Sequence, residues 1–396
     1  MNRGISPEDL YTKLVELEAN DDLKAISMVQ EFIKNTKKRS WSKAMNELMK
    51  KAIEIIISQN KIIPFREVIS FCRSLTQANF ISQFEGIVKS AKDFLLDKYE
   101  ESNEKYKKFL NKQNPELDEE PDMTENDTID EQQFINEQKF IWDVYKILLD
   151  MTKMHSRLFP LYIQILKDCF AFCGDNKRIH EFKALCDSIR NYLFMLKKNE
   201  NKPNFANKIN ISEAKILRML IQSSINQIET ANKLEEWEES FKTSEKIISF
   251  IEDYEKIEKV KEKGKQNKEK KYMRIPPFLE IELYNHIQKL LWVSNYPLYH
   301  TYAIISIKKT LENNKGKMEN LEEKDKQVYS SYKLDKINER IILAYLSTPI
   351  RNAYTNFTKV GEELFEDNND TEIRTCQKMM KILKINHIPS KKYLLG

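Results

Sequence analysis

Two groupings of residues in this 396-residue chain have types and spacing that could do chemistry. Cys169 and Cys173 stand four apart, the spacing of one helix face, with His155 and His180 near them in sequence. A zinc site would need four such donors to converge, and a nucleophilic thiol would need a neighbouring cation or helix start to hold it as thiolate. Their sequence neighbours are instead Leu166, Phe170 and Phe172, among which thiols behave as small buried hydrophobes. The carboxylate runs Glu235-Glu236, Glu238-Glu239 and Glu362-Glu363 each lie in a mixed-charge pattern that reads as a solvated face, not as an acid–base pair. The seven glycines, at 4, 86, 174, 264, 316, 361 and 396, occur singly, so neither a Walker loop nor a dinucleotide fingerprint is written here. These patterns lead us to expect no catalytic residues, no metal ligands and no cofactor.

A third grouping suits binding. Lys34, Lys37, Lys38, Arg39 and Lys43 surround Trp41 at a turn between two helical stripes, which is what a contact to a nucleic-acid phosphate backbone would require. The periodicity from Trp41 to Met45 and Leu48 favours a core-anchoring role for the indole. For the cations, a phosphate contact and simple solvation of the turn both stand. Lys177-Arg178 and Lys391-Lys392 are lesser candidates.

The elements that would position these groups are helices. Seven glycines are too few for the tight turns of α/β or all-β folds, and no segment alternates with period two over a useful length. Ser6-Pro7-Glu8-Asp9 reads as a helix start, and Leu10, Leu14 and Leu17 mark its inner face. Further stripes follow, the most regular running through Phe182, Leu185, Cys186, Ile189, Leu193 and Leu196. About a dozen helices of similar length predict an all-α fold, an elongated right-handed α-solenoid of degenerate helix-turn-helix, TPR-like repeats.

Composition divides the chain further. Residues 113–138 hold ten acidic residues and no Lys or Arg, leaving 65 basic against 51 acidic residues elsewhere, a surplus of +14. We therefore expect N-terminal repeats over 1–112, a disordered acidic loop over 113–133 and middle repeats over 134–251. A Lys/Glu linker over 252–272, either a solvated helix or a disordered strap, and C-terminal repeats over 273–396 complete the division. Five cysteines, most of them in apolar stripes, suggest reduced thiols, and no apolar run approaches the ~20 residues that span a bilayer. A cytoplasmic protein with no membrane contact is expected.

Several segments occur in an order that resembles a known family. They are Lys38-Arg39-Ser40-Trp41; Phe182 to Arg190 (FKALCDSIR); Leu283-Tyr284-Asn285-His286-Ile287 with Leu291-Trp292 and Tyr299-His300; and Arg340 to Ile350 (RIILAYLSTPI). Together they are similar to the N-terminal region of the eIF3a family, the largest subunit of eukaryotic translation initiation factor 3, with the second and fourth the most specific. An acidic insertion also occurs in that family; the 252–271 strap is longer than usual. The resemblance implies a non-catalytic scaffold that binds mRNA, the small ribosomal subunit, other subunits of the factor and, among these, notably eIF3c. It also implies a fragment, since the chain stops about where the family's winged-helix PCI portion begins. A scaffold of another PCI assembly, the proteasome lid or signalosome, is the alternative.

Overall fold

The computed structural model describes residues 6–18, 22–35, 41–76, 80–113, 125–199, 209–210, 213–263, 276–294 and 297–314, together with Ile337 and Arg340. Among them there are twelve α-helices and no strand. They are α1 (Pro7–Glu18), α2 (Asp22–Asn35), α3 (Lys43–Ser58), α4 (Ile62–Thr76), α5 (Ile81–Gln113) and α6 (Glu125–Thr152). After a 3-10 turn (Ser156–Leu158) come α7 (Phe159–Asp175), α8 (Ile179–Asn199), α9 (Ala214–Lys233), α10 (Trp237–Lys263), α11 (Pro277–Val293) and α12 (Pro297–Asn314). The all-α expectation holds.

Local chemistry sets the helix ends. The Asp9 N–H donates to Ser6 Oγ at 3.1 Å with Pro7 in the first helical position, as the sequence predicts. Ser42 caps α3 in the same way, accepting from the Met45 N–H at 3.1 Å. Three helix exits share one device. Asn60, Lys177 and Glu235 take φ of 55°, 50° and 59°, and the next N–H reaches back across the turn: Lys61 to Ile56 O, Arg178 to Cys173 O and Glu236 to Ala231 O. These are left-handed helix caps made without glycine, which is how so glycine-poor a chain turns so often.

The chain groups into two compact units, residues 1–169 with 204–209, and residues 170–203 with 210–396; α7 belongs to the first through Cys169 and to the second from Phe170. In the first unit α3 packs against α1, α2, α4 and α5, and α4 packs against α2, α5 and α6. From α1 to α4 each helix meets the next and the next but one, the pattern of stacked helical hairpins. The centrally placed α3 buries eight residues, including the run Ile55, Ile56 and Ile57. Its C-terminal carbonyls are held by a neighbouring helix: Lys98 Nζ on α5 donates to Ile57 O and Ser58 O at 2.7 and 2.8 Å and lies 5.8 Å from the Phe140 ring of α6. In the second unit α9 packs on α10 and α11, and α11 on α12.

Two of the expected segments overlap helices in part. The acidic loop expected over 113–133 overlaps α6, which begins at Glu125, and the linker expected over 252–272 overlaps α10, which reaches Lys263. Both stretches lack apolar periodicity, but a helix already nucleated extends cheaply through residues with no breaker among them, which fits the solvated-helix reading of 252–263. No Pro or Gly occurs from 125 to 133 or from 252 to 263. On α6 the nucleus is visible: Phe134 stacks on Tyr106 of α5 with ring centres 4.1 Å apart, and Ser102 donates to Glu137 at 2.7 Å.

Candidate macromolecule-binding surface

Lys34 and Lys43 sit where the sequence places them, exposed, in the last turn of α2 and at the first position of α3. Lys37, Lys38 and Arg39 lie outside the described residues. Trp41 is buried, 8% exposed, ahead of Met45, Leu48 and Met49 on the inner face of α3. The indole is therefore a core anchor, unavailable for stacking on a base.

The thiols are core as well. Cys72, Cys169, Cys173 and Cys186 are free and buried, whereas Cys376 lies outside the described residues. Burial pushes the Cys173 and Cys186 thiols up to about 12, away from the thiolate that a metal or a nucleophilic role needs. Among the described residues no group of three or more His, Cys, Asp or Glu is placed to hold a metal ion.

The carboxylates give one correction. Glu239 is not on a solvated face: it is 6% exposed and receives Arg190 Nη1 of α8 at 2.5 Å, with Lys242 Nζ at 3.5 Å. Arg190 also pairs with Asp187, and Lys183 Nζ meets Glu236 at 2.8 Å, so an ion lattice joins α8 to α10. Burial works against the Arg190 charge, but its hydrogen bonds to Glu239 and Asp187 outweigh that and hold its pKa above the ordinary value. Lys246 lies beside this lattice with the opposite outcome. Burial, then the nearby Arg190 and Lys197, lowers it to about 8. The lattice escaped sequence reasoning because its two anchors stand 49 residues apart.

A second cluster was also missed. Arg73 of α4 lies over the Phe84 ring of α5 at 5.3 Å, with its Nη1 buried and without an acceptor. Close by, the buried His155 accepts the Arg157 N–H through Nδ1 at 3.2 Å. Burial lowers the His155 pKa, and Arg73 and Arg157 lower it further, so the ring is neutral at pH 7. Glu85 is the one carboxylate paired in this corner among the described residues, taking Lys89 at 2.7 Å and Arg157 Nε at 3.8 Å. The available signal was Arg73 itself, a charge one residue after Cys72 and four after Ile69 on an apolar stripe.

Comparison with known proteins assigns this architecture. A family model described as "eIF3a, PCI domain, TPR-like region" matches residues 12–396. The chain belongs to the eIF3a family. Among curated relatives, the mouse (Mus musculus) eIF3a protein of eukaryotic translation initiation factor 3 is 23% identical over 365 residues, 89% of this chain and 25% of that protein. The human protein (Homo sapiens) is likewise 23% identical over 365 residues, covering 89% and 24%. The Arabidopsis thaliana protein is 24% identical over 356 residues, covering 87% and 33%. The chain thus spans about a quarter to a third of the length of these eIF3a proteins. No helix among the described residues is long and apolar enough to cross a membrane.

Proposed function

We propose that this chain is a non-catalytic scaffold of translation initiation factor 3 in the cytoplasm. In this reading it contributes to assembly with the factor's other subunits, notably eIF3c, and to binding of mRNA and the small ribosomal subunit. The observation that carries the reading is the family match over residues 12–396, laid on an all-α chain whose first-unit helices pack as stacked hairpins. Such stacking buries one face of each helix and leaves long outer surfaces for partners. The non-catalytic part is supported by the fate of the reactive groups: four thiols are buried, and Glu239 is engaged by Arg190. The +14 surplus outside residues 113–138 supports contact with a polyanion, and Lys34, Lys37, Lys38, Arg39 and Lys43 are its proposed contact points.

The test is a pull-down of the native full-length protein with partners identified by mass, followed by pelleting with small ribosomal subunits over a salt gradient. Initiation-factor subunits should copurify; proteins of the lid or signalosome would replace this reading with the alternative assembly. Reversing Lys37, Lys38 and Arg39 to Glu should weaken pelleting and flatten its salt dependence. Unchanged pelleting would remove that turn from the contact surface.

A further inference from the structure

The corner where α4, the start of α5 and the segment after α6 meet has an excess of unanswered cation. Three cations, Arg73, Lys89 and Arg157, face a single paired carboxylate, Glu85. Glu85 has its closest ion pair with Lys89 and only a long one with Arg157. The Arg73 side chain has no hydrogen-bond or carboxylate partner among the described residues, and its buried Nη1 lacks an acceptor. A buried N–H without an acceptor is costly, and a guanidinium matches a two-oxygen anion best. His155, its Nδ1 occupied by the Arg157 N–H, keeps its remaining proton on Nε2, which makes the ring a donor to an anion.

Apolar side chains border this corner. Met154, next to His155, is 63% exposed, and Phe80, one turn before Phe84, is 39% exposed. Arg, Met and aromatic residues together mark the centres of protein–protein interfaces, and it is the exposed Met154 that favours a protein over a nucleic acid, whose bases would stack on Phe80 alone. We propose that the corner of Arg73, His155 and Arg157 docks an acidic, amphipathic segment of a partner protein. A carboxylate of that segment pairs with the exposed Arg157 and meets the half-buried edge of the Arg73 guanidinium, and an apolar side chain lies against Met154 and Phe80. The 11 residues between α5 and α6 are too few to supply it. Gln113 stands 29 residues along α5 from Phe84, about 44 Å of helix, beyond what 11 residues can span and return from.

The inference rests on the scaffold reading but is tested apart from it. The probes are fluorescent 12-residue peptides carrying an Asp-Glu pair with Leu or Phe one to four residues away, and a 12-nucleotide single-stranded RNA. Binding to the 396-residue chain is followed by anisotropy. We expect at least one peptide spacing to bind, Arg157→Glu to weaken it at least tenfold and Met154→Ser several-fold, with RNA binding unchanged in both. Arg157 and Met154 are exposed, so these variants should keep the wild-type helical spectrum and melting curve; Arg73→Gln is the third variant, used if it does the same. Peptides that all fail to bind, or binding indifferent to Arg157→Glu, would overturn the proposal. Loss of RNA binding in Arg157→Glu would overturn it in favour of a phosphate site. Failure here beside a successful pull-down would leave the scaffold reading standing, and the reverse result would separate the two in the other direction.

Discussion

At the scale of single residues, charge is decided by what lies across the helix interface, not by the local sequence. Glu239 and Lys246 stand seven apart on α10, yet one is satisfied by Arg190 and the other is crowded by it. The sign of the Lys246 effect follows from proton counting. The ordinary amine holds its proton up to about 10.5, and the folded one releases it near 8. Between those values the unfolded chain binds more protons, so stability rises with pH across the window; below it the cost of the buried ammonium is fully present. Lys246→Met should therefore stabilise the protein at pH 7 by roughly 1 kcal/mol, allowing for partial exposure, or about 2–4 °C in Tm. That gain should shrink as pH approaches 10, which melting curves followed by circular dichroism at both values would reveal; an equal gain at pH 7 and 10 would contradict the assignment. The sequence could show that Trp41, Cys169 and Cys173 belong to apolar stripes, because periodicity is local. It could not show the partners of Glu239 or Arg73, because pairing across helices depends on which faces meet.

At the scale of elements, the stripes on α1, α3 and α8 were legible because each buries one face at regular spacing. The extents of α6 and α10 were not, since apolar periodicity detects burial and is silent about helix that continues beyond it. The non-glycine caps were hidden for a different reason: Lys177 and Glu235 look like ordinary polar turn residues until φ is known. A left-handed conformation costs a residue with a Cβ about 1–2 kcal/mol, and less for Asn. Glycine gives back part of that gain through its freer unfolded chain. Lys177→Gly and Glu235→Gly are expected to stabilise by about 0.5–1 kcal/mol each, and Asn60→Gly by less. Urea denaturation would check this ordering; destabilisation at Lys177 or Glu235 would mean that their side chains contribute more than their backbone strain costs.

At the scale of the whole molecule, what matters is that every substantial helix pairing among the described residues joins near neighbours in sequence. Stability in such a stack is a sum of local interfaces. Phe65→Ala on α4 and Phe250→Ala on α10, both fully buried, should each cost about 3–5 kcal/mol. Because they lie in different units, their effects should add to within about 0.5 kcal/mol. Hydrogen exchange should locate each loss in its own unit, and a strongly non-additive double variant would show wider cooperativity.

The same near-neighbour packing bears on how the family can diverge. A helix that touches only the next two and the previous two can be lengthened at an outer end without moving any register behind it. The α5–α6 pair, fastened by Tyr106 on Phe134, is such an end. Insertions placed there are free to drift in length and composition between lineages, while the stripes behind them must hold their spacing. Relatives that share 23% identity with this chain should accordingly differ from it most at the tips of the helical pairs, so they are better aligned with it helix by helix than end to end.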